Sequence, residues 1–397
     1  MSLADIKAFK GIYQRELSGL KVLLRLDCNV PIRNGKIYND ARLQASLPTV
    51  KSLVQRNART MIMSHLGRPD PDADPASQKA YSLQIIADWF SDKLGMPVPL
   101  AKDWLAHPPS VPSGDVVLLE NTRFYRGETE NDAHLGKKMG QLCDLFVMDA
   151  FAVCHRANAS TAAIMQHAAE VCPGPLLQEE LAAISQFMDY SRRPVVTIAG
   201  GAKVSDKLPL LRNLAHLSDY LIPGGGIANT FLAAKGFDIG QSLHQPELVA
   251  SVQDILSSTQ VLLPEWVVTA TASTPREQIG IRNVSDIPSD HAIWDIAPRS
   301  ILRFEPVLQQ AETILWNGPM GLFEEPAFAA GTIALGQLIA AAPGFSLAGG
   351  GDTLAAVERC GISEQISYLS TGGGAFLAAL EGRTLLALDA LLARKAS

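Results

Sequence analysis

Apolar residues in this chain come in short, nearly unbroken runs at 22–26, 61–63, 116–119, 145–148, 195–198, 220–222, 267–268, 314–316, 345–348 and 366–369. The runs are rich in Val, Ile and Leu and do not alternate with polar residues, which is the pattern of strands buried on both faces. Helical spacing appears between most of them, for example at 88–94, 179–188, 227–234, 353–359 and 377–380. Alternating strands and helices predict an α/β fold with parallel sheets covered on both faces. Ten strands are many for one open sheet, so two sheets are expected. Proline and glycine punctuate Cys172-Pro173-Gly174-Pro175, and an amphipathic stretch at 176–188 follows. The punctuation predicts a boundary there, with a helix joining two domains. A last helix is expected at 385–394.

Composition narrows the class. The 397 residues are 47% hydrophobic with a net charge of −6, as expected of a globular chain with a sizeable core. An acidic balance offers no general attraction for polyphosphate backbones, so no nucleic-acid partner is expected. Five cysteines, Cys28, Cys143, Cys154, Cys172 and Cys360, form no C-x-x-C pair, which fits a reducing cytoplasm without structural disulfides. The first ten residues lack an apolar core, so no secretory signal is expected. The uncharged stretch 326–351 is long enough to consider as a membrane span. It contains Gln337 and a Pro343-Gly344 break, so a buried helix followed by a buried strand is expected, and no membrane partner. Charge is uneven. Residues 1–170 hold 20 Lys and Arg against 18 Asp and Glu, whereas 171–397 hold 14 against 22. That split directs attention to anion handling in the first half.

Four glycine clusters in the second half follow probable strands: Ala199-Gly200-Gly201-Ala202-Lys203, Pro223-Gly224-Gly225-Gly226-Ile227, Gly349-Gly350-Gly351-Asp352-Thr353 and Thr371-Gly372-Gly373-Gly374-Ala375. Glycine lets a ligand approach the backbone closely, and a helix start beyond it presents unpaired N–H groups and a positive dipole end. Together these bind phosphate, and in open parallel sheets they line the crevice at the carboxyl ends of the strands. The chain has no G-x-x-x-x-G-K-[ST], no G-x-G-x-x-G and no hydrolase or protein-kinase signature. Lys203 and Lys207 are four residues apart, and on a helix both ammonium groups would share one face. Asp352 opening a helix beside phosphate-binding amides adds negative charge unless a cation intervenes. Mg²⁺ bridging the carboxylate and phosphate oxygens resolves this, although Asp352 as a simple N-cap needs no metal.

The first half uses other residues. Arg25-Leu26-Asp27-Cys28-Asn29-Val30-Pro31, Asp40-Ala41-Arg42, Ser64-His65-Leu66-Gly67-Arg68-Pro69, Asn121-Thr122-Arg123-Phe124 and His155-Arg156 put polar groups after apolar runs or at helix starts. Guanidinium forks match carboxylate and phosphate oxygens, so Arg42, Arg68, Arg123 and Arg156 together suggest a small polyanionic ligand. His65 and His155 are possible acid–base groups, but positioning or structural roles are expected of them.

These motifs resemble those of the phosphoglycerate kinase family, in the same order along nearly the whole chain: 25–31, 64–69, 149–160, 200–208, 224–231, 316–324, 349–353 and 370–375. The run Trp316-Asn317-Gly318-Pro319-Met320-Gly321-Leu322-Phe323-Glu324 and the Gly349–Thr353 turn carry most of the specificity. The resemblance implies two doubly wound, Rossmann-like parallel-sheet domains, 1–172 for 3-phosphoglycerate and 189–380 for nucleotide. A hinge helix at 173–188 would join them, and a C-terminal helix within 381–397 would pack back toward the first domain. It implies reversible phosphoryl transfer between 1,3-bisphosphoglycerate and Mg-ADP, giving 3-phosphoglycerate and ATP, by a cytoplasmic monomer. Asp27, Asn29, Arg42, His65, Leu66, Gly67, Arg68, Arg123 and Arg156 match the 3-phosphoglycerate site. Gly201, Lys203, Lys207, Gly225, Asn317, Glu324, Gly350, Gly351, Asp352 and Thr353 match the nucleotide site, with Glu324 near the ribose and Asp352 on Mg²⁺. Arg42, Lys203, Gly351, Gly373 and Gly374 match the groups around the transferred phosphoryl. Three positions depart from the family pattern. Ala378 and Ala297 stand where Glu and Gly are usual, and Glu265 where Asp is typical.

The implied chemistry needs no base, because a carboxylate with a reference pKa near ~4 is already ionised at neutral pH. The difficulty is repulsion between anions, which cations and amide donors around the equatorial oxygens relieve. Reacting atoms must come within about 3–3.5 Å, so the two domains are expected to close about the hinge, compacting the molecule in small-angle scattering. Two alternatives stay open at this stage: another small-carboxylate kinase, and a non-catalytic nucleotide-responsive binding protein.

Overall fold

The computed structural model describes residues 9–271 and 279–394. It divides into two compact units, residues 1–182 with 384–397 and residues 183–383. The division falls inside the Pro175–Met188 helix. Cys172 and Pro173 lie upstream of it, in the last strand of the first sheet.

The first unit is built on a six-stranded parallel sheet. Its spatial order is Leu100–Ala101, Val116–Leu119, Arg59–Met63, Lys21–Arg25, Leu145–Met148 and Glu170–Pro173. The chain winds outward in both directions from the Lys21–Arg25 strand, so a topological switch lies beside it, where ligands bind in such sheets. Leu24, Ile62, Leu118 and Val147 of the strands pack with Leu43 and Val50 of the Ala41–Gln55 helix and Phe90 of the Gln84–Leu94 helix. The Leu386–Ala393 helix belongs to this unit. Its Ala387 N–H donates to the Cys154 carbonyl at 3.0 Å.

Buried Asp149 ties three elements of this unit together. It follows the Leu145–Met148 strand, and its carboxylate accepts from Thr49 Oγ1 at 2.8 Å and from the Leu177 amide at 2.9 Å. Burial pushes its pKa up to about 6, against the hydrogen bonds that favour the charge. A carboxyl raised in the fold contributes stability below its unfolded value, and that contribution is lost as pH rises through about 6. Asp149→Asn is therefore expected to gain on the native protein, by on the order of 2 kcal/mol, between pH 4.5 and 7.5. Thermal melts of both proteins across that range check it.

The second unit has its own six-stranded parallel sheet. Its order is Gln260–Val261, Tyr220–Gly224, Val195–Gly201, Thr313–Asn317, Phe345–Gly349 and Tyr368–Ser370. One face carries Val196, Ile314 and Trp316 against Leu335 and Val357, and the other carries Ala199 and Leu221 against Leu211, Phe231 and Val252. The uncharged stretch forms the Ala330–Ala341 helix and the Phe345–Gly349 strand. Among the described residues no helix is long and apolar enough to cross a membrane.

One apolar run sits elsewhere than expected. Residues 267–268 belong to the Trp266–Thr271 strand, which pairs antiparallel with Gly280–Asn283 and His291–Ile296 in a separate three-stranded sheet. The connections among these strands are too short for the helical crossover that parallel pairing requires.

Candidate active site

In the first unit the expected residues gather at the carboxyl edge of the sheet. Asp27 and Asn29 follow the Lys21–Arg25 strand, His65 to Arg68 follow Arg59–Met63, and Arg123 follows Val116–Leu119. Arg42 is the second residue of the Ala41–Gln55 helix. Its Nη1 lies 2.9 Å from Asp27 Oδ2 and donates to the Asn29 carbonyl at 3.0 Å. Asn29 Oδ1 accepts from the Gly67 amide at 2.9 Å, and Arg123 donates to the Gly67 carbonyl. The 65–68 loop thus holds Arg123 directly and is linked to Arg42 through Asn29. Leu66 is buried beneath it, and its carbonyl accepts from Asn121 at 2.8 Å. Arg68, Arg123 and Arg156 line one cleft of about 480 Å³ with Tyr125, Glu128 and Asn158.

His65 is uncharged in the fold. Burial, then Arg25, Arg123, Arg156 and Arg42, hold it well below the ordinary imidazole range, so it is neutral at pH 7. His155 accepts at Nε2 from Arg156 Nε at 3.1 Å.

The second unit gathers the glycine turns in the same way. All the strands that carry them are parallel, so 200–203, 224–226, 317–320, 349–353 and 371–374 share one carboxyl edge. Gly201, Gly225, Glu324 and Asp352 line a single cavity of about 420 Å³. Asn317 joins three of the turns. Its Oδ1 accepts from Lys207 Nζ at 2.7 Å, its Nδ2 donates to the Gly349 carbonyl at 2.7 Å, and Lys207 also donates to the Gly200 carbonyl at 2.6 Å. Thr353 Oγ1 accepts from the Gly318 amide at 2.8 Å and donates to the Gly349 carbonyl at 2.9 Å.

Two local expectations need correction. Lys203 and Lys207 do not share a helix face, because the helix begins only at Leu208. The Val195–Gly201 strand runs into a loop, and Pro209, with no amide hydrogen, suits the first turn of a helix. Lys203 is exposed on that loop, whereas Lys207 turns inward. The other three glycine clusters do lead from strand to helix, at Gly225–Ala234, Gly351–Cys360 and Gly374–Leu380. Asp352 is not the N-cap either. Gly350 is, and Asp352 lies exposed in the first turn, where a carboxylate is favoured by the helix dipole.

Sequence reading missed part of each site. Glu128 lines the arginine cleft, and the buried Ser160 and Arg25 connect to it in turn. The signal for Arg25 was a charge closing an otherwise apolar strand. The nucleotide-side cavity is also walled by Asn229, Gln241, Leu243 and Trp294, which no glycine turn announces. Of the departures, Ala378 and Ala297 are buried, and Glu265 pairs with Arg303.

The model of the phosphoglycerate kinase family matches residues 12–383. Similar proteins include "Phosphoglycerate kinase" of Vibrio campbellii, 45% identical over 379 residues, covering 96% of this chain and 97% of that protein. Another is "Phosphoglycerate kinase" of Legionella pneumophila strain Corby, 47% identical over 384 residues, covering 96% of each. Among solved structures, phosphoglycerate kinase from Coxiella burnetii superposes with a TM-score of 0.92 at 43% identity over 97% of this chain and 99% of the other. The enzyme from Pyrococcus horikoshii OT3 does so with a TM-score of 0.82 at 29% identity over 97% and 98%.

Proposed function

Since this chain belongs to the phosphoglycerate kinase family, we propose that it transfers a phosphoryl group reversibly between 1,3-bisphosphoglycerate and Mg-ADP, giving 3-phosphoglycerate and ATP. The acceptor in the ATP-consuming direction is a carboxyl group. The observation that carries the reading is the gathering of Gly201, Gly225, Glu324 and Asp352 around one cavity at the carboxyl edge of the second sheet. Arg68, Arg123 and Arg156 around the first unit's cleft supply its anionic counterpart, the 3-phosphoglycerate site. Asp27, Asn29 and the 65–68 loop shape that site.

The residues divide the work by chemistry. The attacking carboxylate is already ionised at neutral pH, so the transfer requires no deprotonation by a side chain. Arg42 is held by Asp27 and the Asn29 carbonyl, which fixes its guanidinium before any ligand arrives. Such preorganised charge costs no rearrangement at the moment of transfer. Lys203 is free of a helix and reaches from its loop. The amides of Gly351 and Gly374 open their helices and have no intrahelical acceptor, and Gly373 caps the second of them. In this reading each of these groups acts on the transferring phosphoryl's oxygens.

Asp352 fits Mg²⁺, which is commonly held by one or two carboxylates together with substrate phosphates. It lines the cavity and sits exposed at a helix start, beside amides that attract phosphate. The ion supplies neutralisation of phosphate charge when bound. Gly350 and Thr353 shape the turn that presents Asp352, and Glu324 stands on the same wall for the ribose.

Lys207 gives this reading a pH signature. Burial lowers its ammonium to about 8, with Asp352 pulling the other way. Above that pH the free protein loses a cation at the phosphate end, so kcat/KM for Mg-ATP is expected to fall as pH rises through about 8. Arginine stays charged, so Lys207→Arg is expected to move this limb to higher pH. Initial rates from pH 6.5 to 9.5 at low Mg-ATP measure it.

The deciding experiment is a coupled assay with 3-phosphoglycerate and Mg-ATP. Turnover supports the reading. Turnover only with another carboxylic acid favours a different small-carboxylate kinase, and nucleotide binding without any turnover favours a non-catalytic protein. The same reading makes the protein a cytoplasmic monomer whose domains close on their ligands.

A further inference from the structure

A buried polar chain runs from Glu128 of the arginine cleft through Ser160 and Arg25 to His65. Glu128, Ser160, Arg25 and His65 are 1%, 0%, 0% and 2% exposed. Glu128 Oε1 accepts from Ser160 Oγ at 2.5 Å, and Glu128 Oε2 accepts from the Ser160 amide at 3.0 Å. Ser160 Oγ in turn accepts from Arg25 Nε at 3.1 Å. Arg25 Nη1 donates to the Leu26 carbonyl, and Arg25 Nη2 lies 3.3 Å from His65 Nδ1.

A guanidinium has five donors and no acceptor. His65 Nδ1 must therefore accept, and the ring proton resides on Nε2. Asp27 Oδ1 is 4.0 Å from Nδ1, beyond hydrogen-bond reach, so it does not call for a proton there. We propose that Glu128, Ser160 and Arg25 are positioning residues that hold His65 as the neutral Nε2–H tautomer, a directional donor toward the anionic ligand. A buried guanidinium is tolerated when paired and hydrogen-bonded, and Glu128 supplies the countercharge through Ser160.

The charged groups that bear on His65 agree. Arg25, Arg123, Arg156 and Arg42 all disfavour an imidazolium, and Asp27 is the carboxylate beside it. The arginines supply the cleft's charge, and His65 supplies direction without adding to it.

The test reads the tautomer directly. In long-range ¹H–¹⁵N spectra of the full chain, His65 is expected to show the Nε2–H pattern unchanged from pH 6 to 8. Arg25→Leu removes both the donor and the cation, so His65 is expected to lose its fixed tautomer and show a mixture of Nδ1–H and Nε2–H, while burial and Arg123, Arg156 and Arg42 still keep the ring neutral. If that variant does not fold, Ser160→Ala decides. It is expected to give a mixture of tautomers and a KM for 3-phosphoglycerate raised about 3- to 10-fold, as loss of one hydrogen bond implies, with KM for Mg-ATP unchanged. An Nδ1–H tautomer in the native protein overturns the proposal, as does an unaltered tautomer in folded Ser160→Ala. The KM arm rests on the function proposed above, but the spectra need no ligand. Absence of turnover would thus count against that function and not against the tautomer.

Discussion

Replacing Arg42 with methionine is expected to lower kcat by about 100-fold or more, the range seen when a preorganised transition-state donor is removed. The size follows from how the side chain is held. Arg42 is only partly buried, but one of its terminal nitrogens is fixed between the Asp27 carboxylate and the Asn29 carbonyl. Its charge is therefore aimed before the ligand binds. Methionine keeps the bulk of the chain and removes the charge, leaving two repelling anions to meet with one cation fewer. Arg42→Lys is expected to recover only part of the rate, because a point charge replaces a fork. The KM for Mg-ATP is expected to stay within about twofold, as Arg42 belongs to the other unit. Lys203→Met is expected to cost kcat on a similar scale, without loss of stability, because Lys203 is exposed. Steady-state kinetics with both substrates varied, beside thermal melts, check these outcomes. A near-normal kcat in both variants would remove these residues from the transferring group.

Gly350→Ala is expected to raise KM for Mg-ATP at least 10-fold and to lower the melting temperature of the second unit. Gly350 has φ +103° and ψ 146° and caps the Gly351–Cys360 helix. Side chains almost never adopt that region, and the strain costs about 1–3 kcal/mol. An added Cβ would also stand 2.8 Å from Asn317 Nδ2. Asn317 cannot yield without loosening its bonds to the Gly349 carbonyl and to Lys207. One methyl group thus disturbs the amides of one turn, the ammonium of another and the presentation of Asp352. At about 2–4 °C per kcal/mol for a unit of this size, the melting temperature is expected to fall by roughly 2–12 °C. Differential scanning calorimetry and nucleotide titration separate the two effects. A variant with unchanged nucleotide affinity would show that this turn does not hold the phosphates.

Much of this arrangement was open to reading from the residues alone. Continuous apolar runs and the helices between them identify two parallel sheets, because a strand buried on both faces leaves no polar alternation. Parallel strands put all their carboxyl ends on one edge. The residues after each run, Asp27, His65 and Arg123 on one sheet and Gly225, Asn317 and Asp352 on the other, were therefore bound to converge. Local chemistry was enough for that step.

What needed the folded chain was everything set by contacts distant in sequence. The direction of the Trp266–Thr271 strand depends on its partners, and an apolar run looks the same whichever way a neighbour lies. The parting of Lys203 from Lys207 depends on where the 202–207 loop crosses before the helix at Leu208. The ordinary-looking Arg25, Glu128 and Ser160 come together across 135 residues, and only that meeting turns a strand-end arginine into the partner of His65. Periodicity records which face a residue shows. Which groups share a buried space is decided by packing, where each unmatched charge or donor must find its partner.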